Sequence, residues 1–358
     1  MLKKIPILIL PIFIFLYTFK CVAQPIILDL PIPKKYEVVK ALNPILIDGI
    51  ANEKNWEFAK WTDFFIDIEG DKNPSPYYDT RVKLLWDDEF IYFYTELEEE
   101  HIWGDITERD AVIFHNNDFE IFIKPNQSQP YYAEFEVNAL GTLWELFLAK
   151  PYRRNGPVLN QWDVNGTQIG IDIQGTLNDP SDIDKSWNIE IAIPLQAIKD
   201  IDRGSQIKEG SVWRLNFSRV QWQHQIEKGI YSRKQDSSGN LLPENNWVWT
   251  EQSAIAMHRP EHWGYLFFSE KYALNEPLNY IDDFEIEYQL LFYVYRKVLD
   301  NDSTIESYFT TNNMVQFSVN GLILTAKKSI TNLGFELTVT NPSKGSISVN
   351  QDGYVITQ

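Results

Sequence analysis

The sequence predicts an all-β sandwich, antiparallel in its pairing, followed by a small α+β extension. Three observations lead there. Short segments in which apolar and polar residues alternate with period two recur from Tyr36 to Phe268, with almost no helical periodicity between them. Turn-forming clusters separate these segments, among them Asp87-Asp88-Glu89, Pro125-Asn126 and Asn138–Gly141. After Glu270 the pattern changes. Asp282–Asp300 sets Phe284, Ile286, Leu290, Leu291, Val294, Val298 and Leu299 close to one helical face. Strands are expected after it at Val315–Val319, Gly321–Ala326, Phe335–Thr340 and Ser346–Val349.

Taken from the start, Lys3 and Lys4 form a positive patch ahead of the apolar run Ile5–Phe19, and Cys21-Val22-Ala23 offers small residues for cleavage after Ala23. Residues 1–23 are therefore expected to be a signal peptide, and the chain to be exported to the periplasm, the cell surface or the medium. A membrane anchor is the rival reading, but the run is short for a bilayer and carries Pro6 and Pro11. A lipoprotein reading meets Lys20 directly before Cys21. Cleavage removes the only cysteine, so no disulfide or thiolate metal site would remain. It also removes three lysines and no acid, which moves the formal charge from −18 to −21. Such acidity argues against nucleic acid and anionic membranes as partners and suits neutral ligands, cations or a cationic partner.

Residues 24–35, punctuated by prolines, read as an extended leader arm; residues 36–270 read as the sandwich and residues 277–358 as the extension. Tyr36–Leu42 is expected as an edge strand. Ile47-Asp48-Gly49 leads through a turn into a short helix that Asn52 can cap, with Trp56 packed beneath. Thr62–Glu69 alternates as a strand, and Thr80–Trp86 with Phe90–Leu97 forms a hairpin. Glu96–Glu100, followed by His101 and Trp103, reads as a solvated acidic loop or as a loop rimming a binding face. Further strands are expected at Gln168–Gly175, Trp187–Ile193 and Ser211–Val220, with a helical turn at Leu195–Lys199. Gln221–Asn246 reads as a long polar loop. Asp179, Asp182 and Asp184 are candidate calcium ligands, although surface aspartates in turns are common and their spacing is not that of an EF-hand.

The stretch Phe114–Tyr152 organises the rest. It divides into strands Asp118–Lys124, Tyr131–Asn138 and Thr142–Ala149. Phe119, Ile121 and Ile123 share one face of the first, and Asp118, Glu120, Phe122 and Lys124 the other. Glu134, Glu136 and Asn138 line one face of the second. One face of the sheet is thus apolar and the other set with carboxylates, an amide and aromatics, which suits a polar, ring-shaped ligand. Aromatic residues make up 14% of the chain and tryptophans number 12, so rings are available both for the core and for stacking on sugars.

The motifs follow a familiar order: I-D-G-x-x-x-E-x-x-W (Ile47–Trp56), V-K-L-L-W-D-D-E-F-I-Y (Val82–Tyr92), N-D-F-E-I-F-I-K-P (Asn117–Pro125) and Y-Y-A-E-F-E-V-N-A (Tyr131–Ala139). W-N-I-E-I-A-I-P (Trp187–Pro194), W-R-L-N-F-S-R-V (Trp213–Val220) and R-P-E-H-W-G-Y (Arg259–Tyr265) complete it. From about Tyr36 to Ser269 the chain resembles carbohydrate-binding module family 9 in its longer, exported form. The resemblance implies a DOMON-like β-sandwich that binds sugars without catalysis, often calcium-stabilised and often joined to a glycoside hydrolase as partner. It places the family's sugar-binding carboxylate on Glu120 and its asparagine on Asn138, with Glu136 where the family has arginine. Where the family clamps the sugar between two tryptophans, this chain has Phe114 and His115 on one side and Met257 and His258 on the other. Trp103 or Trp249 are the candidate substitutes. Asp48, Trp56, Trp86 and Trp187 are assigned to folding.

Two other functions stay open. A glycoside hydrolase would need two carboxylates across a cleft. A haem protein of the DOMON-like kind would draw on Met257 or Met314, read by absorbance near the Soret band.

Overall fold

The computed structural model describes residues 24–151, 154, 156–202, 206–273, 278, 280 and 282–357. The expected signal segment with Cys21 lies outside the described residues, as do Tyr152 and the expected start of the extension at Pro277. In chain order the strands are β1 (Ile26–Leu28), β2 (Lys35–Lys40), β3 (Ile66–Asp67), β4 (Thr80–Trp86), β5 (Phe90–Glu98), β6 (Asp118–Lys124), β7 (Tyr132–Asn138) and β8 (Leu143–Leu148). They continue as β9 (Val158–Leu159), β10 (Gln168–Gln174), β11 (Ser186–Pro194), β12 (Val212–Gln221), β13 (His224–Glu227), β14 (Ile230–Arg233), β15 (Asn245–Val248) and β16 (Gly264–Phe268). Helices α1 (Asn55–Phe58) and α2 (Leu195–Ile201) interrupt this set. The extension holds α3 (Glu285–Leu299), α4 (Ser303–Asn312), β17 (Met314–Val319), β18 (Leu322–Thr331), β19 (Gly334–Asn341), β20 (Gly345–Asn350) and β21 (Val355–Thr357).

The predicted sandwich is present. One sheet runs β10-β11-β5-β4, the other β16-β12-β6-β7-β8-β9, with β15 beside β12 and β3 beside β15. Strand β2 joins them, pairing with β16 through Lys35–Val38 and with β4 through Val39 and Lys40. The expected edge strand is therefore central, and both of its pairings are parallel. Its side chains show why: Val38 faces the core between the sheets and Val39 the cluster behind one of them. That core takes Leu84, Phe93 and Trp187 from one sheet and Ile121, Phe135 and Phe217 from the other.

Behind the first sheet, Glu190 is the anchor for the segment ahead of α1. Its carboxylate accepts the Asp48 and Gly49 amides and the Trp56 indole N–H, at 3.0, 3.0 and 2.9 Å. Asn52 does not cap α1, which begins at Asn55 without a side-chain cap. Thr62–Glu69 is a strand only at Ile66–Asp67; Thr62 and Phe65 make single amide bonds to β4 instead. The long polar loop contains the hairpin β13–β14, turned by Lys228 and Gly229, both at positive φ. Nor is Glu96–Glu100 simply a solvated loop. Glu99 is buried against Arg219 at 2.9 Å, with Gln221 and Asn117 also donating to it.

In the extension, β17–β21 form an antiparallel meander, and β1 adds in parallel to β17. The leader arm is thus partly a strand of the extension's sheet. Helix α4 was hidden by its Ser/Thr-rich sequence; Asp302 caps it, accepting the Thr304 amide. Helix α3 docks on the sandwich through Glu285 with Arg214 at 2.6 Å and through the Arg296–Glu261 pair.

Candidate functional site

The face of the second sheet that turns away from the core carries the polar residues, because period-two alternation leaves Phe119, Ile121, Ile123, Phe135 and Val137 on the core side. Cross-strand register then fixes their neighbours. Trp144, Glu136, Glu120 and Ser218 lie in one row across β8, β7, β6 and β12, and Leu146, Glu134, Phe122 and Asn216 in the next. Asn138, Asp118 and Val220 form a third row.

Over these rows lies a cleft of ≈510 Å³. Glu120, Glu134 and Glu136 form its acidic floor, Phe122 and Leu146 its apolar floor, and Trp144 one wall. Ile255–His258 supply the opposite wall, and Glu244 and Phe114 reach its rim. Trp144 is half-buried, and its indole N–H is held by Asn160. The His258 ring is fixed by the Tyr132 hydroxyl at 2.7 Å. An apolar ring beside several carboxylates is the chemistry a sugar needs: stacking for its C–H face and acceptors for its hydroxyls.

The acids raise one another's proton affinity. Burial, together with the Glu120 charge, pushes Asp118, Glu134 and Glu136 well above the ordinary carboxylate range. Burial pushes Glu120 up to about 7, and Glu244 adds to the effect.

Five residues expected at the site line this one cleft: Glu120, Glu136, Phe114, Met257 and His258. The others do not. Asn138 is fully buried and shapes the loop beyond its own strand, donating to the Ile106 carbonyl and accepting the Leu140 and Thr142 amides. His115 is exposed, beside Phe114 but outside the cleft. Trp103 is buried against Tyr231, Trp222 and Val220. Trp249 belongs to the core between the sheets, and a Cβ on Gly264 would stand 2.3 Å from its ring. Neither tryptophan lines the cleft.

Asp179, Asp182 and Asp184 do not gather among the described residues. Asp184 accepts the Ile102 and Thr176 amides and Asp179 the Ser181 amide, while Asp182 is exposed. Met314 stands exposed on β17 in the extension, away from Met257, which packs with Trp263 and Phe122.

Glu134 and Trp144 also line the cleft and went unassigned in the sequence. Glu134 shares a face with Glu136 by alternation. Trp144 is recoverable only through the register that sets it opposite Glu136.

Residues 47–208 match the family model described as carbohydrate family 9 binding domain-like. Over this segment the chain is similar to family 9 carbohydrate-binding domains. No curated protein matches the chain. Among solved structures it is similar to a protein from Bacteroides uniformis ATCC 8492, provisionally described as carbohydrate-binding. That likeness has 14% identity, covers 66% of this chain and 99% of that one, and has a TM-score of 0.48. It is also similar to a family 9 carbohydrate-binding module from Caldicellulosiruptor kristjanssonii, solved with cellotriose and with glucose. The cellotriose complex gives 14% identity, 70% and 100% coverage and a TM-score of 0.43. The glucose complex gives 13%, 68%, 100% and 0.42. The matched family 9-like segment supplies β6, β7 and β8; β12, β15 and the 255–258 wall come from the chain beyond it.

Among the described residues no helix is long and apolar enough to cross a membrane.

Proposed function

We propose that this chain is an exported, non-catalytic carbohydrate-binding protein serving polysaccharide utilisation, and that it takes a sugar or a glycan end in the cleft over β6, β7 and β8. One observation carries the reading: a half-buried tryptophan and three glutamates line the same cleft, on the sheet contributed by the family 9-like domain. Trp144 offers the stacking surface, and Glu120, Glu134 and Glu136 offer acceptors for hydroxyl groups. The three glutamates stand on adjacent strands of one sheet, so they address a bound ring from one side. That arrangement suits holding a sugar more than cleaving it, since hydrolysis asks for carboxyl groups on both sides of the bond. A glycoside hydrolase acting on the same glycan is the expected functional partner.

The test is a glycan array followed by calorimetry, with glucose and cellotriose as first soluble probes. Saturable binding to one glycan class is expected. Trp144→Ala should weaken it by roughly tenfold, the scale of one lost ring contact. Glu120→Ala should abolish it. A chain that binds no glycan, or binds equally well in both variants, would rule out this cleft as a sugar site.

A further inference from the structure

The acidic floor contains more charge than a neutral sugar requires. Elsewhere three of the buried acids meet an arginine: Glu99 meets Arg219, Glu285 meets Arg214, and Glu261 meets Arg296. Glu190 is satisfied by two amides and an indole. The cleft is different, because no lysine or arginine lines it.

At its floor, one carboxylate oxygen each from Glu120 and Glu136, which line the cleft, and from Asp118 beside them lies within 4.8 Å of the others, and all three residues are buried. Among the described residues this is the one such grouping. Two further atoms point to a missing partner. Asp118 is fully buried; one of its oxygens takes the Val220 amide at 3.3 Å, while Oδ2 has no hydrogen bond. Glu134, 4% exposed and lining the same cleft, leaves Oε2 without a partner. A buried, unsatisfied carboxylate oxygen is costly, and two beside a triad of acids call for a cation.

We propose that Asp118, Glu120 and Glu136 hold a hard divalent cation of the calcium class, and that the cation's remaining positions face the cleft and take vicinal hydroxyls of the bound sugar. The geometry suits such an ion. Oxygens about 2.3–2.6 Å from a common centre stand at most about 5 Å apart, and six to eight of them are needed. Three carboxylates leave positions for water, for Glu134 and for two sugar hydroxyls. Trp144, opposite Glu136 in register, then covers the ring of a sugar so held. The sugar contact rests on the carbohydrate reading above; the cation site itself does not.

The experiment uses the purified chain, stripped with EDTA and titrated with Ca²⁺ by calorimetry and with Tb³⁺ by sensitised luminescence. One site is expected, weakened at least 100-fold in the Glu120→Gln/Glu136→Gln variant. Those isosteric changes relieve repulsion, so the metal-free variant should melt no lower than the parent, which separates loss of the ion from loss of the fold. Asp179→Asn/Asp182→Asn should bind the metal as the parent does. An unchanged site in the glutamine variant, or no metal binding at all, overturns the proposal and leaves shared protons as the way the acids coexist. Glycan affinity is then measured in Ca²⁺ and in EDTA, with at least a tenfold loss expected in EDTA. Equal affinity in both overturns the bridging role while leaving the carbohydrate reading in place. Metal binding without any glycan binding overturns the carbohydrate reading instead.

Discussion

Glu190 and Gly49 show how single residues close this fold. Gly49 has φ of +92°, and a Cβ there would stand 2.5 Å from the Asp172 backbone nitrogen. Gly170, opposite it on β10, would meet the Gly49 nitrogen at the same distance. The I-D-G motif is therefore a backbone-on-backbone contact, pinned by Glu190 from below. Gly49→Ala should cost about 3 kcal/mol from strain and displacement, a fall in melting temperature of roughly 6–12 °C. Calorimetric melting checks it, and a shift under 2 °C would mean that the turn yields freely. The folding roles of Asp48, Trp56, Trp86 and Trp187 were legible in the sequence because each belongs to a local motif. Trp249 was not. Its burial depends on Gly264, fifteen positions later in the chain, lying flat beneath its ring.

At the level of elements, β6, β7 and β8 were readable almost to their ends, since alternation survives wherever one face is core. The hairpin β13–β14 was not, because its strands are short and mostly polar and make their hydrogen bonds chiefly to each other. Helix α3 was readable by its apolar stripe, but not its landing place. It docks through buried charge: burial opposes the ionisation of Glu261, yet Arg296 wins and holds it down to about 2. Desolvation meanwhile pushes His262 down to about 4. Both groups favour the docked state at neutral pH. A histidine that stays neutral when folded gives stability that is complete above about 6.5 and lost as pH falls to about 4. Glu261 adds stability that is complete above about 4.5 and lost as pH falls towards about 2. Hydrogen exchange between pH 7 and pH 4 should therefore show α3 amides losing protection before those of β6 and β7. In His262→Gln this early loss should diminish. Equal loss of protection in helix and sheet would contradict the docking account.

The whole molecule is two cores held together by threads that cross between them. β2 crosses from one sheet of the sandwich to the other, and β1, just ahead of it, belongs to the extension's sheet. Sandwich and extension could both be foreseen from composition and periodicity. Their interlocking could not, since parallel pairing between the chain's start and its distant parts leaves no local trace. The acidic face was likewise foreseen, whereas the wall made by Ile255–His258 depended on how the chain returns after β15. The acidic face and this wall meet at the cleft. The most direct measurement is a crystal structure of the chain soaked with the glycan that binds best. The account predicts a sugar ring stacked on Trp144, with hydroxyls within hydrogen-bonding or ion-coordinating reach of Glu120 and Glu136. A sugar bound elsewhere, with this cleft holding only water, would contradict it.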